Sequence, residues 1–302
     1  MLFGKDNTLM NDGIISEYQN FVEKNHLKTL DVMGKEWQYL LSGQGNYTLV
    51  FLPGMIGKKG IFYKYLEVLS EHFYKVIALD YPVVESLEEL VEGVHKVIQY
   101  ETVDKVVLFG QDFGGIIGQL LVEKYPDEVD ALVLMNSSTK SPDVPKKCVK
   151  ANVSTLRRFL KMTEGWGYKG FKKNLVKRIG QGIMNSGVKN PEGWAAFYQQ
   201  MVEDTSRGEM VSSHYCAMSF WKDHHFREES FESFKGNVLI IESEVDKFDK
   251  LEEIKALKTL YKKHSVLEIK GSRNMALERS RHEIIGKLVP YINGLELHSS
   301  EK

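Results

Sequence analysis

Gly110-Gln111-Asp112-Phe113-Gly114-Gly115 sets a carboxylate at the centre of a G-x-Nuc-x-G pattern. The β-rich run Lys105–Phe109 leads into it and a helical pattern over Phe113–Lys124 leads out. That is the strand–turn–helix setting in which a reactive side chain is held on a tight, strained turn. Glycine is needed two positions before and two after, because a Cβ there would collide with neighbouring backbone. Gly118, one turn on, lets the helix lie close to a sheet. Asp112 is either the reactive group or a polar residue kept on an inherited turn, and an ionised carboxylate is costly to bury unless it is hydrogen-bonded. Other groups able to hold or move a proton are scattered. Asp246 follows the apolar run Val238–Ile241, His214, His224 and His225 close a long helical stretch, and His282 lies within the last helix. No phosphate-binding glycine loop and no cluster of metal-ligand spacing occurs, so neither cofactor nor metal is expected.

The elements that must position Asp112 read as an alternation. Short Val/Ile/Leu runs at Thr48–Leu52, Lys75–Leu79, Lys105–Phe109, Ala131–Met135, Asn237–Glu242 and Ser265–Ile269 are separated by stretches with apolar residues at helical spacing. Those stretches cover Ile61–His72, Ser86–Tyr100, Phe113–Lys124, Leu251–Lys262 and Leu277–Ile292. Continuous apolar strands separated by helices predict a mostly parallel, doubly wound sheet covered on both faces. A helix over Ile14–Lys24 and a hairpin across Gly34-Lys35 precede the series. Residues 137–235 contain no strong strand, so the expected organisation is an α/β core, residues 1–136 and 236–302, interrupted by a helical cap. The 302 residues are 42% hydrophobic, enough for a large core. Two cysteines without metal spacing suit a reducing compartment, and no signal-peptide pattern or long apolar stretch appears, so a soluble, cytoplasmic protein is expected.

The elbow, the Lys124-Tyr125-Pro126 turn with Val129 after it, the insertion after the next strand, and the segment Ile240–Asp246 together resemble the α/β-hydrolase superfamily. The resemblance covers about 200 residues, roughly 45–136 and 237–292. It implies an α/β-hydrolase fold with an inserted helical cap. A carboxylate at the elbow is similar to epoxide hydrolases and to haloalkane and haloacetate dehalogenases. There the carboxylate attacks carbon, and water assisted by a histidine hydrolyses the resulting ester. The resemblance makes Asp246 the acid member of the triad. The family's histidine belongs in a G-x-G-H-x-x-x-x-E loop, which here reads Gly271-Ser272-Arg273-Asn274-Met275-Ala276-Leu277-Glu278. Asn274 stands in the histidine position, and an amide accepts no proton near neutral pH. Pro53-Gly54 replaces the usual His-Gly of the oxyanion loop, although main-chain N–H groups of Met55 and Phe113 remain able to form an anion hole. Phe113 also stands where dehalogenases carry a halide-donating Trp.

Within the superfamily the chain resembles the maspardin group. The likeness rests on Phe51-Leu52-Pro53, on Val76–Val83 (with a difference at Asp80) and on Asp104–Gly110, and on Asn at position 274. That group carries Ser at the elbow, and the resemblance implies protein interaction rather than established catalysis. The expected function is a weak or non-catalytic homologue that binds a ligand or protein. The alternative is an active hydrolase of epoxide, halide or ester bonds, with Asp112 as nucleophile and a cap histidine as base.

The cap carries its own signal. From Lys146 to Arg178 eleven Lys or Arg face a single acid, Glu164, with Leu156, Phe159, Leu160, Trp166, Phe171 and Leu175 interleaved. Either a protein or anionic-lipid surface meets this face, or it is a solvated helix face whose apolar side roofs a pocket for a small apolar or acidic ligand. Nucleic acid is not expected at a net charge of −1. Trp194, Phe197, Tyr198, Tyr215, Phe220 and Trp221 are expected mainly as cap core, with Tyr198 or Tyr215 a candidate epoxide-activating acid.

Overall fold

Eight strands form one sheet in the order β1-β2-β4-β3-β5-β6-β7-β8. The computed structural model describes residues 8–45, 47–72, 74–102, 106–163, 167–244, 251–271 and 275–299. Helix α1 (Thr8–Lys24) leads to the hairpin β1 (His26–Val32) and β2 (Lys35–Ser42), turned at Met33 and Gly34, both at positive φ. β2 joins β4 (Tyr74–Leu79) antiparallel. β3 (Tyr47–Leu52), β4, β5 (Val106–Gln111), β6 (Val129–Met135), β7 (Asn237–Ser243) and β8 (His264–Ile269) pair in parallel.

The strands from β3 to β7 are buried on both faces, which explains their unbroken apolar runs. Val50, Leu52, Leu108, Leu132, Leu134 and Ile240 pack on one side with α3 (Leu87–Glu101) and α4 (Phe113–Lys124). Leu49, Phe51, Phe109, Val133 and Ile241 pack on the other, with α1, α2 (Tyr63–Ser70) and the C-terminal helix. Leaving β3 the chain runs to β4 on one side, and leaving β4 it crosses back to β5 on the other. The crevice between the carboxyl ends of β3 and β5 is therefore a topological switch point, where open α/β sheets bind ligands.

Among the described residues four α-helices lie between β6 and β7: α5 (Lys146–Thr163), α6 (Tyr168–Met184), α7 (Pro191–Asp204) and α8 (Arg207–Asp223). Ser206 and Glu209 form a reciprocal capping box that starts α8. Trp194 and Phe197 join the core on one sheet face, Phe220 and Trp221 that on the other. Of the six aromatic residues expected as core, Trp194, Phe197, Phe220 and Trp221 are buried, Tyr198 is half-buried against the core, and Tyr215 is exposed.

Beyond β7 come α9 (Leu251–Leu260), β8, the short α10 (Ala276–Arg279) and α11 (Arg281–Ser299). The single final helix expected over Leu277–Ile292 is in fact two. The break falls at Ser280, whose φ of −101° and ψ of 16° leave the helical region. Met275, before the short helix, sits in the left-handed region, and the Arg279 guanidinium donates to the carbonyls of Ser186 and Lys270.

Candidate functional site

Asp112 occupies the sharp turn between β5 and α4 with φ 50° and ψ −112°. A non-glycine residue at positive φ outside the left-handed well stores about 1–3 kcal/mol and persists only where its surroundings over-determine it. They do so here. The Asp112 amide donates to the Met135 carbonyl at 3.0 Å, and its own carbonyl accepts from the Gly115 amide at 3.1 Å and the Ser137 hydroxyl at 3.0 Å.

Both flanking glycines are forced by backbone. A Cβ on Gly110 would lie 2.4 Å from the Gly115 Cα, and one on Gly114 would lie 2.0 Å from the Leu52 carbonyl oxygen. On Gly118 it would meet a Leu132 methyl at 2.8 Å, the close helix–sheet approach anticipated there. Because the Gly114 collision is with main chain of β3, Gly114→Ala is expected to cost at least the 1–3 kcal/mol typical of overpacking. Urea unfolding checks this, and a midpoint unchanged from the parent would contradict the geometry.

Opposite Asp112 lies the loop after β3. A Cβ on Gly54 would stand 3.4 Å from the Asp112 Oδ2, so the carboxylate faces the stretch that carries Met55. This loop is tied down at several points. The Gly57 amide donates to the Gly54 carbonyl at 2.9 Å, and the Gly57 carbonyl accepts from the Tyr81 amide at 3.0 Å. Asp80, just past β4, accepts from the Lys59 amide at 2.5 Å and from its ammonium at 2.6 Å, both residues being buried. Lys58 donates to Glu209 of the α8 capping box at 2.7 Å. Burial opposes ionisation of Glu209, but the Lys58 and Ser206 hydrogen bonds outweigh it and hold the carboxyl below its usual range. Phe113 is buried with its ring edge-on to Tyr81.

Of the histidines considered, His282 and His225 are exposed, and His224 turns to Glu123 at 3.1 Å. His214 differs. It is buried on α8, its ring lies flat on Phe159 of α5 at 3.4 Å, and its Nδ1 is 2.7 Å from the Met210 carbonyl. A carbonyl only accepts, so Nδ1 carries the proton and Nε2 the lone pair. Burial is the main influence on the ring and lowers its pKa to about 4. The Met210 carbonyl and the negative charge of Asp112 act in the other direction. His214 is therefore neutral near pH 7 and within electrostatic range of the elbow carboxylate, 102 positions away in the chain. No spacing pointed to it over the other two.

Tyr215 is exposed, and Tyr198 donates its hydroxyl to Glu278 at 2.6 Å. Asp246 and Asn274 lie outside the described residues, as does Trp166. Among the described residues no group of His, Cys, Asp or Glu could hold a metal. No helix there is long and apolar enough to cross a membrane.

The family profile of the alpha/beta hydrolase fold matches residues 47–279. Maspardin of Danio rerio is 39% identical over 92 residues, which cover 30% of this chain and 29% of that protein. Maspardin of Homo sapiens is 38% identical over 92 residues, 30% of each. The match thus spans less than a third of these relatives' length. Among solved structures, an epoxide hydrolase from Vigna radiata superposes with a TM-score of 0.71 at 18% identity, covering 90% of this chain and 99% of that one. A putative lipase from Acinetobacter baumannii AYE gives 0.70 at 18% identity, covering 98% and 100%. At such identities the likeness is one of fold.

Proposed function

We propose, for a chain that belongs to the α/β-hydrolase fold family, that it binds a small ligand at the elbow and turns it over slowly or not at all. The observation that carries this is the state of His214. Its neutral ring has a free Nε2, the form a general base requires. A group with pKa about 4, however, draws a proton from water poorly. Attack by Asp112 on an electrophilic carbon needs no base. A carboxylate oxygen forms the new C–O bond, the ring C–O bond of an epoxide breaks, and the released alkoxide takes a proton from solvent. Hydrolysis of the resulting ester is different, because the attacking water must lose a proton. At that stage Asp112 is an uncharged ester, so one of the two influences that raise the His214 pKa is gone. Asn274 in the family's histidine position supplies no substitute.

The experiment is intact-mass spectrometry with peptide mapping after incubation with styrene oxide. A mass increment on Asp112 that survives removal of the reagent for hours, and that is missing from Asp112→Asn, is the expected result. An increment that disappears within seconds, with kcat of about 1 s⁻¹ or more and adduct accumulating only in His214→Gln, would instead establish an active hydrolase with His214 as its base. The free Nε2 is what favours that second reading.

A further inference from the structure

The insertion bears a concentration of charge that the elbow does not use. On α5 the side chains of Lys146, Lys147, Lys150, Arg157, Arg158 and Lys161 are all exposed. At about 100° per residue they fall within an arc of about 120° of the helix. The remaining arc is committed to the body of the protein. Val149, Val153 and Leu156 pack against the core, and Phe159 stacks on His214. On α6, Lys169, Lys173, Lys177 and Arg178 extend the basic surface. Among the described residues none of these ten cations pairs with a carboxylate. Elsewhere many lysines do, as in Lys28 and Lys75 with Glu101, Lys124 with Glu92, and Lys258 with Glu242.

The near-neutral total charge hides this polarity. Eleven of the chain's forty Lys and Arg, with only one of its forty-one acids, fall between Lys146 and Arg178. Everything else carries 29 bases against 40 acids. The protein is thus an electric dipole, with a positive pair of helices set on an acidic body. In the field of an anionic surface such a dipole turns its basic face inward and its acidic body away.

We infer that the exposed face of α5 and α6 docks on an anionic lipid bilayer. Three features favour a bilayer over an acidic protein or a nucleic acid. The charges are spread along about 22 Å of α5 and on over a second helix, matching a broad layer of mobile headgroups better than one peptide. The apolar side of α5 is already packed on the core, so association is peripheral and electrostatic, as for polybasic surfaces on anionic leaflets. Between α6 and α7 a cleft of about 490 Å³ opens, walled by Lys169, Lys173 and the Tyr168 ring on one side and by Gln199 and Glu203 on the other. Lys172 is bonded across it to the Glu203 and Thr205 carbonyls, so that its cationic wall faces a headgroup and its far wall does not. The docking helix is also the one that holds Phe159 over His214, so the face and the site share an element without either depending on the other.

Co-sedimentation of the full chain with vesicles tests this. Vesicles of phosphatidylcholine with about a third phosphatidylserine are compared with phosphatidylcholine alone, at 0.1 M and 0.5 M salt. Binding to the anionic vesicles only, weakened at least tenfold at high salt, is the expected result. The triple variant Arg157→Glu, Arg158→Glu, Lys161→Glu should bind at least tenfold more weakly while melting like the parent, because all three side chains are exposed. Reversing Lys255, Lys262 and Lys263, on α9 and just after it, should leave vesicle binding in place. Sedimentation that ignores the triple reversal overturns the inference. So does retention on polyglutamate or single-stranded RNA without binding to vesicles.

Discussion

Asp80→Ala is expected to unfold at markedly lower urea, with a loss of about 3–5 kcal/mol, the range found when one partner of a buried ion pair is removed. The reasoning starts from what remains. Lys59 is 7% exposed and keeps its ammonium in the protein interior, where the Asp80 Oδ2 at 2.6 Å is its counter-charge. Its backbone amide also loses the Oδ1 acceptor at 2.5 Å. Lys58 approaches the same carboxylate at 3.8 Å but has Glu209 at 2.7 Å, so it loses less. Truncation thus strands one buried charge and one buried donor. Replacing both partners by apolar groups of similar volume, as in Lys59→Met with Asp80→Leu, should restore most of the loss, because desolvation of the pair disappears with it. The double variant also asks whether this pair fixes the loop from Pro53 to Lys58 in place opposite Asp112. If so, it should recover stability yet capture electrophile more slowly than the parent. A loss below about 1 kcal/mol for Asp80→Ala would mean that Lys59 reaches water and that the pair behaves as a surface one.

That pair also marks the boundary of what the amino-acid sequence discloses. Lys59 and Asp80 belong to no motif, and only the return of the chain from β4 to the loop after β3 makes them neighbours. The strands were legible for the opposite reason. A strand buried on both faces has no polar face to alternate with, so Thr48–Leu52 and Ala131–Met135 read directly as runs. The elbow was legible because steric necessity dictates glycine at Gly110 and Gly114 whatever the chemistry between them. The hairpin at Gly34 was visible, but its antiparallel attachment to β4 was not, because pairing partners leave no local trace. His214 illustrates the same limit within the site. Three cap histidines were equivalent on spacing, and what separates them is the seating of α8 beneath α5, a matter of packing between helices.

A second large effect should appear in the pH dependence of stability, and it comes from Glu278 on α10. Burial is the dominant influence on this carboxyl and raises its pKa from 4.5 to about 7, against the opposing pull of the Tyr198 hydroxyl and Arg281. Tyr198 donates to Oε1 at 2.6 Å, while Oε2 is buried without a partner among the described residues. Below pH 4.5 the folded and unfolded chains both hold the proton, so Glu278 contributes no slope. Between 4.5 and 7 the unfolded chain releases it while the folded chain retains it, and stability falls as pH rises. At about 1.4 kcal/mol per unit the loss accumulates to about 3 kcal/mol, and above pH 7 it is constant. Glu278→Gln keeps an acceptor for Tyr198 and has no proton to release. The variant should therefore match the parent near pH 4.5 and exceed it by about 3 kcal/mol at pH 8, as read from urea unfolding across that range. The consequence is local as well as global. Tyr198 stands on α7 of the insertion and Glu278 on α10, so ionisation strengthens their hydrogen bond but sets a buried charge where the two elements meet, and the burial of that charge is what destabilises the junction. Protection factors in α7, taken after removing the base-catalysed rise common to every amide, should fall between pH 5 and 7 in the parent and stay flat in Glu278→Gln. Parallel stability curves for the two proteins would mean that the Glu278 carboxyl is hydrated in the folded state and that this contact does not respond to pH.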